Sequence, residues 1–333
     1  MPSVQSLYMA VKRPAQVYVG VDVGGTKILA GLFNSSLRLG GTLKFKTKAN
    51  LGKEAVIERV ERIIRDLLSE QNVRLKQVCS IGLGVPGVVA KGRVFNAYNI
   101  GWDDVPIKTI LQRKLRVPVY VENDCNLFTL GIHRVELKSK PQTMVGCFLG
   151  TGFGGGVIIN GRLYTGFNNA AGEFGQMAID KDGIKTAHSF RGSLESLASR
   201  TGIVRRLRRA VLEGETTLLT GELGAQLKGI RSRHLRMALA EKDPLVKRVI
   251  RNVSEDCGIG VAGLISAFGP EYVVLGGGVV EALEKTMLPI IRKTAEAHVL
   301  PGTLRGIKIV TSQLGDDGGI CGAAVWARDN VKH

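Results

Sequence analysis

The sequence predicts an α/β fold built as two related domains. Short apolar segments of strand type alternate with longer segments of helical periodicity along most of the chain. Two pairs of strand-like segments flank glycine-rich turns, one pair at residues 17–33 and the other at 144–160. The 333 residues are enough for two domains. Because hairpin strands pair antiparallel, we expect mixed sheets instead of purely parallel ones.

The first half of the chain contains six predicted elements. Its strands are short apolar runs that end in glycine or polar residues, and its helices have their apolar residues on one stripe. The elements are a strand at 17–23, a strand at 27–33, a helix at 53–69, strands at 78–85 and 117–123, and a helix from Asp124 to about Glu136. Residues 1–16 lack an uninterrupted apolar stretch and are expected to form a flexible extension.

The second half repeats the hairpin and is then mainly helical. The predicted elements are strands at 144–150 and 157–160, a helical region at 194–268 that ends in a long helix from 244, a strand at 271–277, a helix at 281–298, a strand at 306–312 and a helix from 316. Laid over the first hairpin without gaps, the second repeats one valine and two glycines. Either the two hairpins are related, or glycine turns between strands simply resemble one another.

The composition argues against several classes of protein. No apolar run approaches the ~20 residues that a membrane span requires, and the five cysteines are scattered without a C-x-x-C pair. We therefore expect a cytoplasmic protein without a disulfide framework. The formal charge of +17 is concentrated at residues 205–209 and 228–251. This charge indicates either a nucleic-acid surface or a solvated helical face, and without a recognisable nucleic-acid module we prefer the second.

Three glycine turns, each at the end of a buried strand, are candidates for binding phosphate groups. They lie at 24–27, 150–156 and 276–278. Glycine lets the backbone approach an anion closely, and Asp22 before the first turn is suited to hold a water molecule of Mg²⁺. Each turn alone is equally consistent with a tight connection between elements. Together they favour a nucleotide held between two domains.

Two other nucleotide motifs do not fit the glycine turns. A dinucleotide-binding fingerprint requires a helix after its last glycine, but strand-like segments follow both G-x-G-x-x-G matches, at 82–87 and 150–155. The phosphate loop of P-loop ATPases requires glycine directly before Lys and Ser/Thr, whereas residues 25–27 read Gly-Thr-Lys. The turns therefore do not indicate either of these folds.

Asn123 and Asp124 directly follow the predicted strand at 117–123. Either residue is a good N-cap for the helix that begins there. A carboxylate at the carboxyl end of a strand is also where an α/β enzyme presents a general base. From these two residues alone, both interpretations stay open.

The motifs resemble those of the ROK family of sugar kinases, repressors and open reading frames, from about residue 17 to 327. The matching stretches are VGVDVGGTKILAGLF, GLGVPGVV, YNIGWDDVPI, VPVYVENDCN, FLGTGFGGGVIINGRLYTG, AGEFGQMAID, GSLESLASRTGI, GPEYVVLGGGV and LGDDGGICGAA. The resemblance implies an actin/hexokinase/Hsp70-like ATPase fold with two α/β domains around a nucleotide and sugar cleft. We expect a small domain at 17–122, completed by the C-terminal helix 315–333, and a large domain at 123–314.

The resemblance also implies a role for each matching residue. Asp22, Gly24, Gly25, Thr26 and Lys27 match the family's first phosphate loop, Gly150, Thr151, Gly152 and Gly154 its second, and Gly276, Gly277 and Gly278 its adenosine element. Asn99, Asn123, Asp124, Glu173 and Glu195 match positions that hydrogen-bond the sugar. Asp124 matches the catalytic aspartate. The expected cofactors are ATP and Mg²⁺, and a homodimer is implied.

One part of the family pattern is altered in this chain. Gln176 replaces a histidine that contacts the sugar, and Thr186, His188 and Ser193 stand where the cysteines of a zinc-binding box would be. Zinc requires thiolate or imidazole ligands, so we expect no structural zinc. Gln176 retains the ability to donate and accept hydrogen bonds to a sugar.

The predicted activity is transfer of the γ-phosphate of ATP to a hexose hydroxyl, with Asp124 as proton acceptor. Glucose is the preferred acceptor, because ASRTGI after Glu195 resembles glucokinase-type members. N-acetylmannosamine, N-acetylglucosamine and fructose stay open as alternatives.

Two further classes of function are weighed against an ATP-dependent kinase. One is a sugar-sensing regulator of the same family, which would carry an N-terminal helix-turn-helix domain. The 16 residues before the first strand are too few for that module, so no nucleic-acid partner is expected. The other is a kinase that uses polyphosphate, which a basic surface would suit.

Overall fold

The computed structural model describes residues 16–186 and 190–331. In chain order, the strands are β1 (Val17–Val23), β2 (Lys27–Asn34), β3 (Leu39–Lys46), β4 (Val78–Val85), β5 (Val88–Ala90), β6 (Arg93–Phe95), β7 (Val119–Asn123), β8 (Met144–Leu149), β9 (Phe153–Ile159), β10 (Arg162–Tyr164), β11 (Tyr272–Gly276) and β12 (Lys308–Thr311). The helices are α1 (Lys53–Glu70), α2 (Ile107–Leu115), α3 (Asp124–Gly131), α4 (Leu194–Ala198), α5 (Arg200–Leu212), α6 (Leu219–Leu223), α7 (Ser232–Ala240), α8 (Pro244–Phe268), α9 (Gly278–Ala297) and α10 (Asp317–Asn330).

Most predicted elements are confirmed, and the differences have simple causes. β4 and α8 have the predicted limits. The sequence does not predict β3, because its residues LGGTLKFK are mostly glycine or polar. Such a composition suits a strand at the edge of a sheet, which pairs on one side only. The helix predicted at 124–136 ends as α3 at Gly131, and a π-helical turn covers Ile132–Glu136.

The first compact unit of the chain comprises residues 16–140, 156–171 and 316–331. Its main sheet has the strand order β3-β2-β1-β4-β7. β1 pairs antiparallel with β2 and parallel with β4, and β4 pairs parallel with β7. The carboxyl ends of β1, β4 and β7 therefore lie along one edge of the sheet.

The two faces of β1 pack against different helices. The alternate valines of β1 are fully buried in a core shared with α1 and α2. Tyr18, on the opposite face, belongs to a second core with Ile320 and Ala324 of α10. Because side chains alternate along a strand, Gly20 and Asp22 share the Tyr18 face, which α10 covers.

Glycines allow α10 to contact the sheet backbone to backbone. A Cβ at Gly20 would overlap the carbonyl oxygen of Ile320, and one at Gly82 would overlap that of Ala323. On its other side, α10 packs equally closely against α3, where a Cβ at Gly322 would overlap the carbonyl oxygen of Leu127. α10 is thus held between strand and helix at positions where no other residue fits.

The second compact unit comprises residues 141–155 and 172–315, of which 187–189 are outside the described residues. It contains β8, β11 and β12, with β11 parallel to both neighbours, and helices α4 to α9. These strands belong to a five-stranded sheet of order β10-β9-β8-β11-β12. The bounds of the two compact units differ from those of the expected small domain at 17–122 and large domain at 123–314. The expected division into functional domains stays a prediction.

Two sequence-based expectations concern the chain as a whole. Residues 1–15 of the predicted N-terminal extension lie outside the described residues. Within residues 16–186 and 190–331, helices long and apolar enough to cross a membrane are absent. The two five-stranded sheets, which alternate with helices along the chain, confirm the predicted α/β class with mixed sheets.

The close packing of α10 predicts that Gly82→Ala destabilises the protein by about 2 kcal/mol or more, because the added methyl displaces backbone atoms. Urea denaturation measures the change. Gly221→Ala is the matched control, since Gly221 lies inside α6 with open space around its Cα. Helix propensity makes that variant equal to or slightly more stable than the wild type. Equal stability of the two variants would contradict the packing argument.

Candidate active site

Two carboxylates meet at the carboxyl edge of the first sheet. Asp22 is the next-to-last residue of β1, and Asp124 directly follows β7. The strand between them, β4, places Gly84 opposite both Asp22 and Glu122. The Cα of Asp124 lies 3.5 Å from where a Cβ of Gly84 would stand. Asp124 therefore begins α3 directly beside Gly84 of β4, the residue that pairs with Asp22.

Ionisation of both Asp22 and Asp124 is unfavourable at this edge of the sheet. Burial is the main reason that the pKa of Asp22 is raised to about 7, and the charge of Asp124 raises it further, while Lys27 opposes the shift. Burial also raises the pKa of Asp124, although hydrogen bonds from Cys125 partly offset the effect. Asp22 and Asp124 are thus stronger bases than exposed aspartates.

The local structure separates the roles of Asn123 and Asp124. Asn123 is the N-cap of α3, and its side-chain oxygen accepts hydrogen bonds from the backbone N–H groups of Cys125 (2.9 Å) and Asn126 (3.1 Å). Its side-chain nitrogen donates to the carbonyl oxygen of Gly87 at 3.0 Å. Because Asn123 caps the helix, Asp124 is left as the first helical residue. A sugar-binding role of Asn123 stays a prediction.

Glu122 is a buried carboxyl group that sequence reasoning overlooks. Its side chain accepts hydrogen bonds from the backbone N–H of Asn123 (2.8 Å) and from the side-chain nitrogen of Asn126 (3.1 Å). Burial raises the pKa of Glu122 despite these bonds. Because the side chain is tied to the start of α3, Glu122 positions the segment that carries Asp124.

The first glycine turn is braced by residues distant in sequence. The N–H of Gly24 donates to the carbonyl oxygen of Lys27 (2.9 Å), and the hydroxyl of buried Thr47 donates to the carbonyl oxygen of Gly24 (2.6 Å). A Cβ at Gly25 would stand 3.2 Å from the carbonyl oxygen of Asn99. The turn therefore packs directly against exposed Asn99, one of the predicted sugar-binding residues.

The beginning of α10 completes the surroundings of Asp22. Lys27, predicted in the first phosphate loop, forms an ion pair with Asp316, and Lys44 pairs with the same carboxylate at 3.2 Å. Burial opposes ionisation of Asp316, but the two lysines outweigh it and lower its pKa. Gly319, in the first turn of α10, leaves no room for a side chain beside Asp22. The positive end of the helix dipole therefore faces this carboxylate.

The second glycine turn connects β8 to β9 and is braced by Glu195 and the start of α5. The carboxylate of Glu195 accepts a hydrogen bond from the N–H of Phe153 at 2.9 Å, and a Cβ at Gly152 would overlap it. Arg200 donates from its backbone N–H to the carbonyl oxygen of Gly150 (3.1 Å) and from its guanidinium to the hydroxyl of Thr151. Glu195 thus has a structural partner in the turn.

The remaining predicted residues lie elsewhere in the second unit. Glu173 is exposed and precedes a short 3₁₀ turn that ends at half-buried Gln176. Gly277 has φ of 86° and is the N-cap of α9, so the third glycine turn does require a positive φ. A Cβ at Gly277 would lie 2.6 Å from the carbonyl oxygen of Leu149. The third turn is therefore packed against the end of β8.

The donor atoms present suit a hard cation better than zinc. Within the described ranges 16–186 and 190–331, groups of three or more His, Cys, Asp or Glu side chains placed to hold a metal ion are absent. His188 lies outside those ranges, so the absence of structural zinc stays a prediction. Asp22 offers carboxylate oxygens, and burial beside Asp124 makes its charge favour a nearby cation. Mg²⁺ accepts one or two carboxylates and keeps several waters, which fits this edge.

The chain is similar in sequence to a known protein family and to curated members of it. The sequence profile of the ROK family matches residues 18–330. The chain is 31% identical to a glucokinase from Halalkalibacterium halodurans, over 92% of this chain and 93% of that one. It is 30% identical to a glucokinase from Thermotoga maritima, over 96% and 99% of the two chains.

A solved structure resembles the chain over nearly its full length. It is the crystal structure of a ROK family glucokinase from Streptomyces griseus in complex with glucose and AMPPNP. The TM-score is 0.82 at 30% sequence identity, covering 94% of this chain and all of that one. The predicted actin/hexokinase-like ATPase fold is thereby confirmed.

The raised pKa of Asp22 predicts an unusual pH dependence of stability. Its folded pKa of about 7 exceeds the ordinary aspartate value, so the folded state binds the proton more tightly. The wild type therefore loses stability as the pH rises from about 4 to 7. Asp22→Asn removes this loss and is expected to be more stable at about pH 8, by on the order of 4 kcal/mol.

Urea denaturation at about pH 4.5 and about pH 8, without divalent cations or ligands, measures this difference. The two proteins are expected to converge at the lower pH. Asp66→Asn, on the exposed side of α1, makes the same charge change and should leave the pH profile unaltered. A difference between wild type and Asp22→Asn that is constant with pH would contradict the raised pKa.

Proposed function

The chain belongs to the ROK family, and on that premise we propose that it is an ATP-dependent glucokinase. The enzyme is a sugar kinase, a phosphotransferase with an alcohol group as acceptor. Glucose is the acceptor named for the relatives at 30 and 31% identity, and AMPPNP, an analogue of ATP, accompanies glucose in the related crystal structure. The proposed reaction converts glucose and ATP to glucose 6-phosphate and ADP.

The observation that carries the proposal is the placement of Asp124. Its carboxylate lies at the carboxyl end of β7, at the start of α3, with a pKa raised by burial. A base with a raised pKa takes a proton more readily than an ordinary carboxylate. Asn123 and Glu122 fix the backbone on both sides of the β7–α3 junction. These features support Asp124 as the proton acceptor.

We assign the proton transfer to Asp124. As the sugar oxygen attacks the γ-phosphorus, the bond between that phosphorus and the bridging oxygen of ADP breaks, and Asp124 accepts the hydroxyl proton. Little other covalent chemistry is required, because phosphoryl transfer is catalysed mainly by positioning and charge stabilisation. The O6 hydroxyl is the proposed attacking group.

The donor's phosphates are assigned to the glycine turns. The first turn, at 24–27, and the second, at 150–155, are rich in glycine, which lets the backbone approach an anion closely. Asp22 is the proposed residue for Mg²⁺, which when bound offsets charge on the phosphates. Because Lys27 pairs with Asp316, it acts on the donor as part of an ion pair and not as a free cation. The glycines at 276–278 are the proposed adenosine element.

Sugar hydroxyls are assigned to polar side chains that match the family's sugar-binding positions. Asn99 and Asn123 are proposed to donate and accept in the first unit, and Glu173, Gln176 and Glu195 in the second. Gln176 cannot ionise, so recognition at that position should not vary with pH. Glu195 also has a structural role, because its carboxylate accepts a hydrogen bond from the N–H of Phe153 in the second glycine turn.

Asp124→Asn is expected to lower kcat by about a hundredfold or more, because asparagine keeps the shape of the side chain but cannot accept the proton. Binding of glucose, measured by calorimetry, should persist. Asp66→Asn is the matched control, since it makes the same charge change on the exposed side of α1. That variant is expected to keep most of its activity. Near-normal kcat of Asp124→Asn would exclude Asp124 as the proton acceptor.

A coupled ADP-release assay across hexoses and N-acetylhexosamines tests the substrate. We expect the highest kcat/KM for glucose, with weaker use of mannose and fructose. Turnover confined to an N-acetylhexosamine would replace glucose while leaving the kinase assignment intact. If none of the sugars stimulated ADP release, the assignment as a catalyst would fail.

A further inference from the structure

The start of α5 is hydrogen-bonded to the second glycine turn. The backbone N–H of Arg200 donates to the carbonyl oxygen of Gly150 at 3.1 Å, and that of Thr201 donates to the carbonyl oxygen of Thr151 at 3.3 Å. The hydroxyl of Thr201 donates to the same carbonyl oxygen at 2.8 Å. In addition, the guanidinium of Arg200 donates to the hydroxyl oxygen of Thr151. Two residues of α5 thus hold consecutive carbonyl groups of the turn together with its one hydroxyl.

The carbonyl groups held by α5 orient the amides that follow them. The described part of the chain has no cis peptide bonds, and in a trans peptide the C=O and N–H groups point in opposite directions. The N–H groups of Thr151 and Gly152 therefore point away from α5. Within residues 16–186 and 190–331, neither of these N–H groups has a hydrogen-bond acceptor. Two adjacent amides of this kind are suited to bind an anion.

Arg200 also determines which way the hydroxyl of Thr151 donates. A hydroxyl group has one proton to donate and two lone pairs that accept. Because the oxygen of Thr151 accepts from the guanidinium of Arg200, its proton must point away from that cation. A cationic donor also polarises the hydroxyl and strengthens the hydrogen bond that it donates in turn. Arg200 therefore makes Thr151 a donor to an anion.

The charge of Arg200 is not neutralised by a carboxylate. Among the described residues it forms no ion pair, whereas Lys27 of the first glycine turn pairs with Asp316. The carboxylate of Glu195 also lies against the second turn, where it accepts from the N–H of Phe153. That carboxylate would repel a phosphate group at the turn, and the positive charge of Arg200 offsets the repulsion.

We propose that Arg200 is a positioning residue of the phosphoryl-donor site, whose guanidinium orients the Thr151 hydroxyl as a donor to the terminal phosphate groups of ATP. The inference rests on the proposed function, because it assigns a residue to the binding of the donor at the second glycine turn. Phosphoryl transfer is catalysed mainly by positioned donors and cations that stabilise charge on the transferred group. Arg200 contributes to this stabilisation through Thr151.

Arg200→Ala is expected to lower kcat/KM for ATP about a hundredfold and to leave KM for glucose within about twofold, because the lost interaction belongs to the donor. Thr151→Val, which removes the hydroxyl, should have a similar effect. If the two side chains act as one unit, the double variant is no worse than either single variant, whereas additive losses would overturn the inference. Arg251→Ala is the matched control, because this exposed arginine pairs with Glu255 on α8.

Rescue by free guanidinium ion separates the role of the charge from a structural role. Arg200 lines a groove of about 410 Å³ along α5, together with Arg205, Arg208 and Arg209, so its truncation leaves room for a small cation. Guanidinium chloride, kept below denaturing concentrations, is expected to raise kcat/KM of Arg200→Ala about tenfold, and sodium chloride is not. The double variant with Thr151→Val should show no rescue. Failure to rescue Arg200→Ala, in a protein that thermal melting shows to be folded, would refute the inference.

Donor binding without turnover separates this inference from the proposed function. Calorimetry with AMPPNP measures it, and Arg200→Ala is expected to weaken that binding about tenfold. If this weakening were found but the wild type did not phosphorylate glucose, the role of Arg200 would stand and the proposed function would fail. If Arg200→Ala phosphorylated glucose with the wild-type kcat and KM for ATP, the role of Arg200 would be excluded and the glucokinase would stand.

Discussion

Backbone-to-backbone packing of α10 is the constraint on which the first unit depends. The helix approaches β1 at Gly20 and β4 at Gly82, and it approaches α3 at Gly322. At such distances there is no space for a side chain. β1, β4, α10 and α3 therefore form one closely packed block. The burial that this packing produces is also what raises the pKa values of the carboxyl groups at its edge.

The same packing determines the electrostatics of the proposed site. It brings Gly319 against Asp22, and it supplies Asp316 as the partner of Lys27. Burial destabilises the ionised forms of Asp22 and Asp124, and the charge of Asp124 adds to the effect at Asp22. Stability alone disfavours this arrangement, and the proposed binding of substrate and a cation at this edge would offset its cost.

The second unit uses glycine for a related purpose. Gly152 leaves room for the carboxylate of Glu195, and Gly155 for the ring of Phe174. The turn between β8 and β9 thereby forms a closely packed surface with α4 and with the 3₁₀ turn at Phe174–Gln176. Arg200 extends this surface onto α5, where it continues as a row of arginines.

Sequence alone determined the α/β class, the limits of β4 and α8 and the two hairpins, because these depend on local periodicity. Asp124 was chosen by its match to a family motif, and its role stays a proposal. Sequence could not decide between the capping roles of Asn123 and Asp124, nor show that Asp316 pairs with Lys27, some 290 positions earlier. Nor could it distinguish a solvated arginine face from a groove. Those outcomes depend on contacts between distant segments, which only the tertiary structure brings together. Local propensity does not encode such contacts.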